Sequence, residues 1–365
     1  MKICLCCAPI HDRIYLDQLM LRGWVKMKTF RFCDAPVRLF GVRRNAEGRF
    51  IRLDEEVAAA TSELVRERNY LAVGGRVRFK TDSPTLTVRY TIASNRADWA
   101  IPLPGSAGVD VYAGTGEASR WVGYAVPYNY TDLTAENRLF KGEGLETVTI
   151  NLPRNEPLLD LTVTVEDGAE FLEPDEYTYK TPIVFYGSSI TEGGCAAAPG
   201  NAYTSMVSRA LDSDYINLGF SGGAHGEQPI AEYISRLKMS VFVMDYDHNA
   251  NDADELERTH ERFFKTVRAA QPELPVIFMT KPDFTGDPAA NSVRRDIIRR
   301  TYENALAAGD RNVWFIDGES YFEGYDRGIC TVEGLHPNDL GFMLMTKKVL
   351  PVLREALAKG YGNLK

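Results

Sequence analysis

Between Val77 and Val165 apolar and polar residues alternate in short runs: Val77–Lys80, Leu86–Ile92, Val109–Tyr112, Trp121–Val126, Thr147–Leu152 and Leu161–Val165. A period of two puts every second side chain on one face, so each run predicts a strand with one buried side. Turn-forming clusters separate them, among them Thr81-Asp82-Ser83-Pro84, Pro104-Gly105-Ser106 and Gly114-Thr115-Gly116. Together they predict an all-β, jelly-roll-like sandwich over residues 25 to 168. Ahead of the strands, Asp54–Arg68 reads as one short helix.

The rhythm changes after a connection rich in acidic residues, Glu170–Lys180. Pro182–Tyr186 is a continuous apolar strand, followed by a small-residue turn and a helical stretch over Ala202–Leu211. The same unit recurs: Tyr215–Leu218 with Pro229–Leu237, Val241–Asp245 with Asp252–Ala270, Val276–Thr280 with Val293–Ala308, and Val313–Ile316 with Asp339–Leu357. Apolar strands alternating with helices of this length predict a parallel sheet covered on both faces, a flavodoxin-like three-layer α/β/α domain over residues 178 to 360. In such sheets ligands bind beyond the carboxyl ends of the strands.

With 365 residues, 44% of them hydrophobic and 25% charged, the chain has ordinary globular composition and enough length for two cores. A net charge of −8 gives no field to attract nucleic acid or an anionic membrane, so neither is an expected partner. Met1–Ile10 is followed by His11-Asp12-Arg13 rather than a small-residue cleavage site, and no run reaches the roughly 18 apolar residues of a membrane span. A cytoplasmic location is the expectation. Six cysteines do not make a disulfide framework, and Cys4, Cys6 and Cys7 lack a second cluster, so no metal or organic cofactor is implied. Cys195 and Cys330 read as buried thiols without a role.

Four short blocks stand at successive strand ends. Gly187-Ser188-Ser189-Ile190-Thr191 presents a serine on a tight turn at the head of a helix. A serine hydroxyl is a weak nucleophile near neutral pH and needs a base beside it and donors for the oxyanion it creates. Glu333-Gly334-Leu335-His336-Pro337 supplies a histidine with a carboxylate three residues before it, at the start of the last helix. Between them, Asn217-Leu218-Gly219-Phe220-Ser221-Gly222 offers the Gly222 N–H, and Asp245-Tyr246-Asp247-His248-Asn249 offers the Asn249 amide, as oxyanion donors.

In this order and at these strand ends the blocks resemble the SGNH/GDSL hydrolase superfamily over Thr181 to Leu357. The resemblance implies Ser189 as nucleophile, His336 as base, and Ser189 N–H, Gly222 and Asn249 as the oxyanion hole. Upstream, Gly108-Val109-Asp110-Val111-Tyr112 is close to the G-x-D-L-Y signature of the β-rich domain that precedes some of these hydrolases. Ser188 stands where many relatives have aspartate, as is common in this two-domain branch. Glu333 stands where the family has aspartate, so the third triad position is the one carried over with a change of residue.

Each block has a plainer reading. Gly222 serves equally to permit a turn and Asn249 to cap a helix, Glu333 reads also as a solvated loop carboxylate, and His225 and His248 read as rim or structural histidines. Trp99, Trp121 and the tyrosines of the β-domain read as core or cross-strand partners ahead of a sugar platform, and Asp110 as a structural carboxylate at a turn or between the domains. The expected activity is a serine esterase acting on an O-acyl, O-acetyl in the first instance, ester of a carbohydrate or glycoside. Acyl transfer through the same acyl-enzyme and a non-catalytic carbohydrate-binding protein on the same fold are the alternatives. Oligomeric state is not legible.

Overall fold

The structure is a computed structural model and describes residues 26–363. Met1–Ile10, with Cys4, Cys6 and Cys7, lies outside the described residues. The strands of the N-terminal half are β1 Met27–Arg31, β2 Arg38–Phe40, β3 Arg43–Arg44, β4 Phe50–Ile51, β5 Arg76–Thr81, β6 Thr85–Ile92, β7 Val109–Ala113, β8 Arg120–Ala125, β9 Thr134–Phe140, β10 Glu146–Asn151, β11 Leu158–Glu166 and β12 Phe171–Leu172. Ten of them form two antiparallel sheets, β1-β11-β6-β9 and β12-β5-β10-β7-β8 with β2 also paired to β5, and β3 pairs with β4 apart from both. The alternation dictates the packing: Leu86, Val88 and Tyr90 from one sheet meet Val77, Phe79, Val111, Val148 and Ile150 from the other in one buried core.

The sequence reading places no strand at β1 to β4, β9 or β12, and it takes residues 54–68 as one helix. The strand β9 was not expected, because within TAENRLF only Ala135 and Leu139 are buried; it is an edge strand whose charged residues stay in water. Asp54–Arg68 is two helices, Glu55–Thr61 and Glu63–Arg68, because Ser62 turns to an extended conformation and its hydroxyl accepts from Val65 N–H at 3.2 Å. A serine there caps a new helix more favourably than it continues the old one.

Five parallel strands follow: β13 Tyr179–Gly187, β14 Ser213–Gly219, β15 Val241–Asp245, β16 Val276–Met279 and β17 Val313–Ile316, in the order β14-β13-β15-β16-β17. Successive residues feed opposite faces. Ile183, Phe185, Val241 and Val243 pack beneath helices Tyr203–Leu211 and Asp339–Asn363, while Val184, Tyr186, Phe242 and Met244 pack beneath Gln228–Ser235, Ala253–Ala270 and Pro288–Ala307. A sheet buried on both sides explains the continuous apolar runs. Leu53, Ala58 and Val65, from the N-terminal half, join the second of these cores and not the sandwich. No helix of the described residues is long and apolar enough to cross a membrane.

Buried arginines tie the two halves together. Arg76 donates to the Tyr215 carbonyl and pairs with Asp214, and Asp110 of the Gly108–Tyr112 motif accepts from Gly200 N–H at 3.1 Å, so its carboxylate holds an inter-half contact as expected. Burial pushes the Asp110 carboxyl up to about 6. The connection after residue 170 is not loose: Phe171 and Leu172 pair with β5, and Asp175 bonds Lys80 at 2.6 Å.

Arg52 lies deepest. Its guanidinium donates to the carbonyls of Arg68 at 2.7 Å, Asn217 at 3.4 Å and Gly219, and faces Glu192 at 3.4 Å, with both side chains almost fully buried. Removing one partner of a buried pair leaves the other charge uncompensated. Arg52→Met is therefore expected to lower unfolding free energy by about 3 kcal/mol or more in urea titrations, with part of the loss recovered by adding Glu192→Gln. Unchanged unfolding of the single variant would show that the pair does not hold the halves together.

Candidate active site

The end of β13 makes a turn that tolerates no side chain at its first position. A Cβ on Gly187 would stand 2.0 Å from Thr191 Oγ1 and 2.2 Å from the Asp245 carbonyl. Ser188 then caps a single helical turn, Ser189–Glu192, its hydroxyl accepting from Ile190 N–H at 3.1 Å, which is the work a serine does in place of aspartate here. Gly193, at φ +100°, ends the turn. Ser189 is presented at the start of this turn with 8% of its surface exposed.

His336 arrives from the far end of the chain on a loop closed by two backbone bonds, Val332 N–H to His336 O and Asn338 N–H to Cys330 O, both 3.0 Å. Its Nε2 lies 2.7 Å from Ser189 Oγ. Glu333 Oε1 accepts from the His336 backbone N–H at 3.0 Å and from the ring Nδ1 in a short contact. A carboxylate only accepts, so Nδ1 carries the proton and the Nε2 lone pair faces the serine hydroxyl. The longer glutamate reaches the imidazole from three residues away, so Ser189, His336 and Glu333 come together in the order that proton abstraction requires.

Gly222 sits at φ +71° in a turn closed by Gly223 N–H to Phe220 O at 2.8 Å, a bond that leaves the Gly222 N–H outside the turn's own ladder. The Asn249 amide donates one hydrogen to Phe220 O at 2.9 Å and retains a second. Gly222 and Asn249 are thus linked through Phe220. His225 bonds the Gly222 carbonyl at 3.1 Å and Glu255 at 3.2 Å. His248 packs edge-on to His336 with ring centroids 6.2 Å apart, and burial, with Lys281 and His336 nearby, pushes it down to about 3. It stays uncharged beside the catalytic-type histidine, consistent with its structural reading.

Several further residues hold this geometry, two of them members of the blocks without an assigned role, Asp245 and Asn217, and one outside the blocks, Arg154. Asp245 accepts from Tyr203 OH at 2.7 Å and Thr191 Oγ1 at 2.9 Å, which anchors the serine turn to β15; burial pushes its carboxyl up to about 7. Asn217 donates to the Thr191 carbonyl at 2.7 Å. Arg154, from the sandwich, donates to the Gly193 carbonyl at 2.5 Å. No spacing rule pairs Arg154 with Gly193, because the contact forms only when the two halves meet. Likewise, one ligand-type atom each from Cys195, Glu333 and His336 lie within 4.8 Å of one another, although residues so far apart in the chain show no metal-ligand spacing.

Tyr90 and Tyr112 are buried, as a core or cross-strand role requires, but other aromatic residues of the β-domain are not. Trp99 is 84% exposed, and Trp121, Tyr124 and Tyr128 are exposed too; of these, Trp121 keeps a cross-strand partner in Tyr112. Trp99, Ile101, Pro102 and Tyr130 form one wall of an open cleft of about 570 Å³ whose other wall includes Cys195, Val332 and Leu340, next to the Glu333–His336 loop. The Trp99 loop is built, not slack: Asp98 Oδ1 accepts from Ala100 N–H at 2.8 Å and Ile101 N–H at 3.2 Å.

Residues 180–354 match the GDSL-like lipase/acylhydrolase family, and residues 24–171 match the GxDLY domain, the N-terminus of SGNH-hydrolase-type esterases. Among solved structures, a protein of Bacteroides ovatus assigned as a GDSL-like lipase is 24% identical, with a TM-score of 0.80 over 91% of this chain and 98% of its own. The salicylyl-acyltransferase SsfX3 of a tetracycline biosynthetic pathway is 21% identical, with a TM-score of 0.73 over 90% and 97%. A family two carbohydrate esterase of Clostridium thermocellum, solved with cellohexaose, is 16% identical, with a TM-score of 0.56 over 79% and 94%. At these identities the likeness is one of fold. No curated protein matches the sequence.

The carboxylate behind His336 yields a sharp expectation. Glu333→Gln can donate to Nδ1 and favour the wrong tautomer, so kcat on acetyl esters should fall about a hundred- to ten-thousandfold. Glu333→Asp keeps the acceptor and should lose about tenfold or less if the loop can close the shorter reach. Steady-state rates decide; wild-type kcat in both variants would reduce Glu333 to a loop carboxylate.

Proposed function

We propose that this chain, a carboxylic ester hydrolase that belongs to the GDSL-like lipase/acylhydrolase family, is a serine esterase that removes an O-acyl group, O-acetyl in the first instance, from a carbohydrate or glycoside. The observation that carries the reading is the 2.7 Å contact of Ser189 Oγ with the unprotonated nitrogen of His336. Ser189 attacks the ester carbonyl as His336 Nε2 takes its proton. Glu333 stabilises the imidazolium that results. Ser189 N–H, Gly222 N–H and the second Asn249 N–H hold the oxyanion. His336 then protonates the leaving alkoxide, and water resolves the acyl-enzyme by the same steps in reverse.

The carbohydrate part of the reading is supported by the cleft. An exposed indole on a braced loop, lining the cleft with Tyr130 and Leu340 beside the histidine loop, offers the flat apolar surface against which the C–H face of a sugar packs. Acyl transfer is the second reading, favoured by the similar fold of a salicylyl-acyltransferase; it differs only in whether water or an alcohol meets the acyl-enzyme.

Ser189→Ala is expected to lower kcat on acetyl esters by about a thousandfold or more with circular dichroism unchanged. Substantial turnover by that variant would defeat the mechanism. Trp99→Ala should raise KM for an acetylated xylo-oligosaccharide about tenfold while leaving ethyl acetate hydrolysis unaffected, the scale of one lost aromatic contact. Equal KM values on both substrates in both proteins would remove the cleft from sugar recognition. Product analysis with an added sugar alcohol separates hydrolysis from transfer.

A further inference from the structure

Hydrolysis of an ester uses the serine side of His336 and one oxygen of Glu333. On the opposite side, Cys195 Sγ lies 3.9 Å from the second oxygen, Glu333 Oε2, and one donor atom each from Cys195, Glu333 and His336 fall within 4.8 Å of one another. We propose that these three residues form a binding site for a soft divalent cation of the zinc and cadmium type, and that its occupation switches the esterase off.

The donor set is of the right chemistry. A thiolate, an imidazole nitrogen and a carboxylate oxygen are the three ligand types that zinc takes, with a fourth position left to water in open sites. Tetrahedral zinc with such ligands separates its donors by roughly 3.3 to 3.8 Å, so the present spacing needs a closure of about 1 Å, within reach of small side-chain rotations. Three anchors set the frame in which they close. Ala196 N–H bonds the Gly193 carbonyl at 2.9 Å, Ala197 N–H bonds Asp339 at 2.8 Å, and the His336 N–H bonds Glu333 at 3.0 Å. Cys195 also lines the open cleft of about 570 Å³, which supplies an entry path and the water for the fourth position.

The charges balance as well. One thiolate, one carboxylate and a neutral imidazole cancel a divalent cation, which suits a site whose cysteine is buried. Binding releases one proton to solvent, from the Cys195 thiol, while the single proton of the neutral imidazole is exchanged from Nδ1 to Nε2; nothing is oxidised. The cation then stands where that proton stood. With the metal on Nδ1 the neutral ring carries its proton on Nε2, which then cannot take the serine proton. The inhibitory half of the proposal rests on the reading of His336 as the base; the binding half does not.

The test uses the full chain with Cys4, Cys6, Cys7 and Cys33 replaced by serine, so that the thiols remaining are Cys195 and Cys330. After removal of metals, one equivalent of cadmium should produce the ultraviolet thiolate-to-cadmium charge-transfer band. Zinc and cadmium should abolish ethyl acetate hydrolysis, EDTA should restore it, and magnesium and calcium, which prefer oxygen ligands, should do nothing. Cys195→Ala and Cys195→Ser, each compared with its own metal-free rate, should lose the band and need at least about tenfold more zinc for half inhibition, while Cys330→Ala behaves as the parent. Absence of the band at one equivalent, or inhibition of the Cys195 variants at the parent's zinc concentration, would overturn the site. A parent that binds cadmium but hydrolyses no ester would instead count against the esterase reading and leave the binding site standing.

Discussion

Beneath the serine turn, a guanidinium and a carboxylate are buried together: Arg52 from the N-terminal half and Glu192 from the turn itself. The turn lies where parallel strands end, so backbone carbonyls there have lost their sheet partners and lie out of reach of water. Arg52 takes up those of Asn217 and Gly219, and Arg154 takes up that of Gly193. A planar fork of donors satisfies several acceptors at fixed angles, which an ammonium on a flexible stem does not. Burial draws both arginines down to about 10, which leaves them charged through the neutral range. The position of Ser189 relative to His336 therefore depends on contacts from the half of the chain that carries neither residue.

Electrostatics at the site follow from what burial neutralises. His248, next to His336, is held uncharged, so in the proposed mechanism it would add no repulsion to an imidazolium at His336. The carboxyl of Asp245 is raised by burial and donated to by Tyr203 and Thr191, which makes it an anchor for the turn. Glu333, by contrast, sits at the rim and accepts two hydrogen bonds from the same histidine. In the proposed mechanism a carboxylate in that place would stabilise the charge that develops on His336 without itself taking the proton.

Much of this was legible in the order of residues. Period-two alternation located most sandwich strands, and continuous apolar runs located all five parallel strands, because each reports how many faces of a strand are buried. The edge strand Thr134–Phe140 was not legible, since Ala135 and Leu139 are too sparse a signal among charged neighbours. Ser62 hid a helix boundary that only its cap reveals. Ser189, Gly222 and Asn249 stood out in short blocks just past strand ends, and Glu333 and His336 in a short block ahead of the last helix, well beyond the strand that precedes it. Arg52 and Arg154 did not, and Asp245 and Cys195 were named without the contacts they make, because their partners lie far away in sequence and no local pattern encodes them. Trp99 misled because an aromatic beside strands is usually packed; here a turn built on Asp98 lifts it into solvent.

The central claim is that an acyl group passes through Ser189, and the most direct measurement is to catch it there. Wild-type protein mixed with excess p-nitrophenyl acetate, quenched in acid during turnover and digested, should show one acetyl group on the peptide that contains Ser189, at a level that rises with the speed of quenching. Rapid turnover with no acylated peptide at any quench time, or an acetyl group carried on another residue that exchanges at the rate of turnover, would contradict the account.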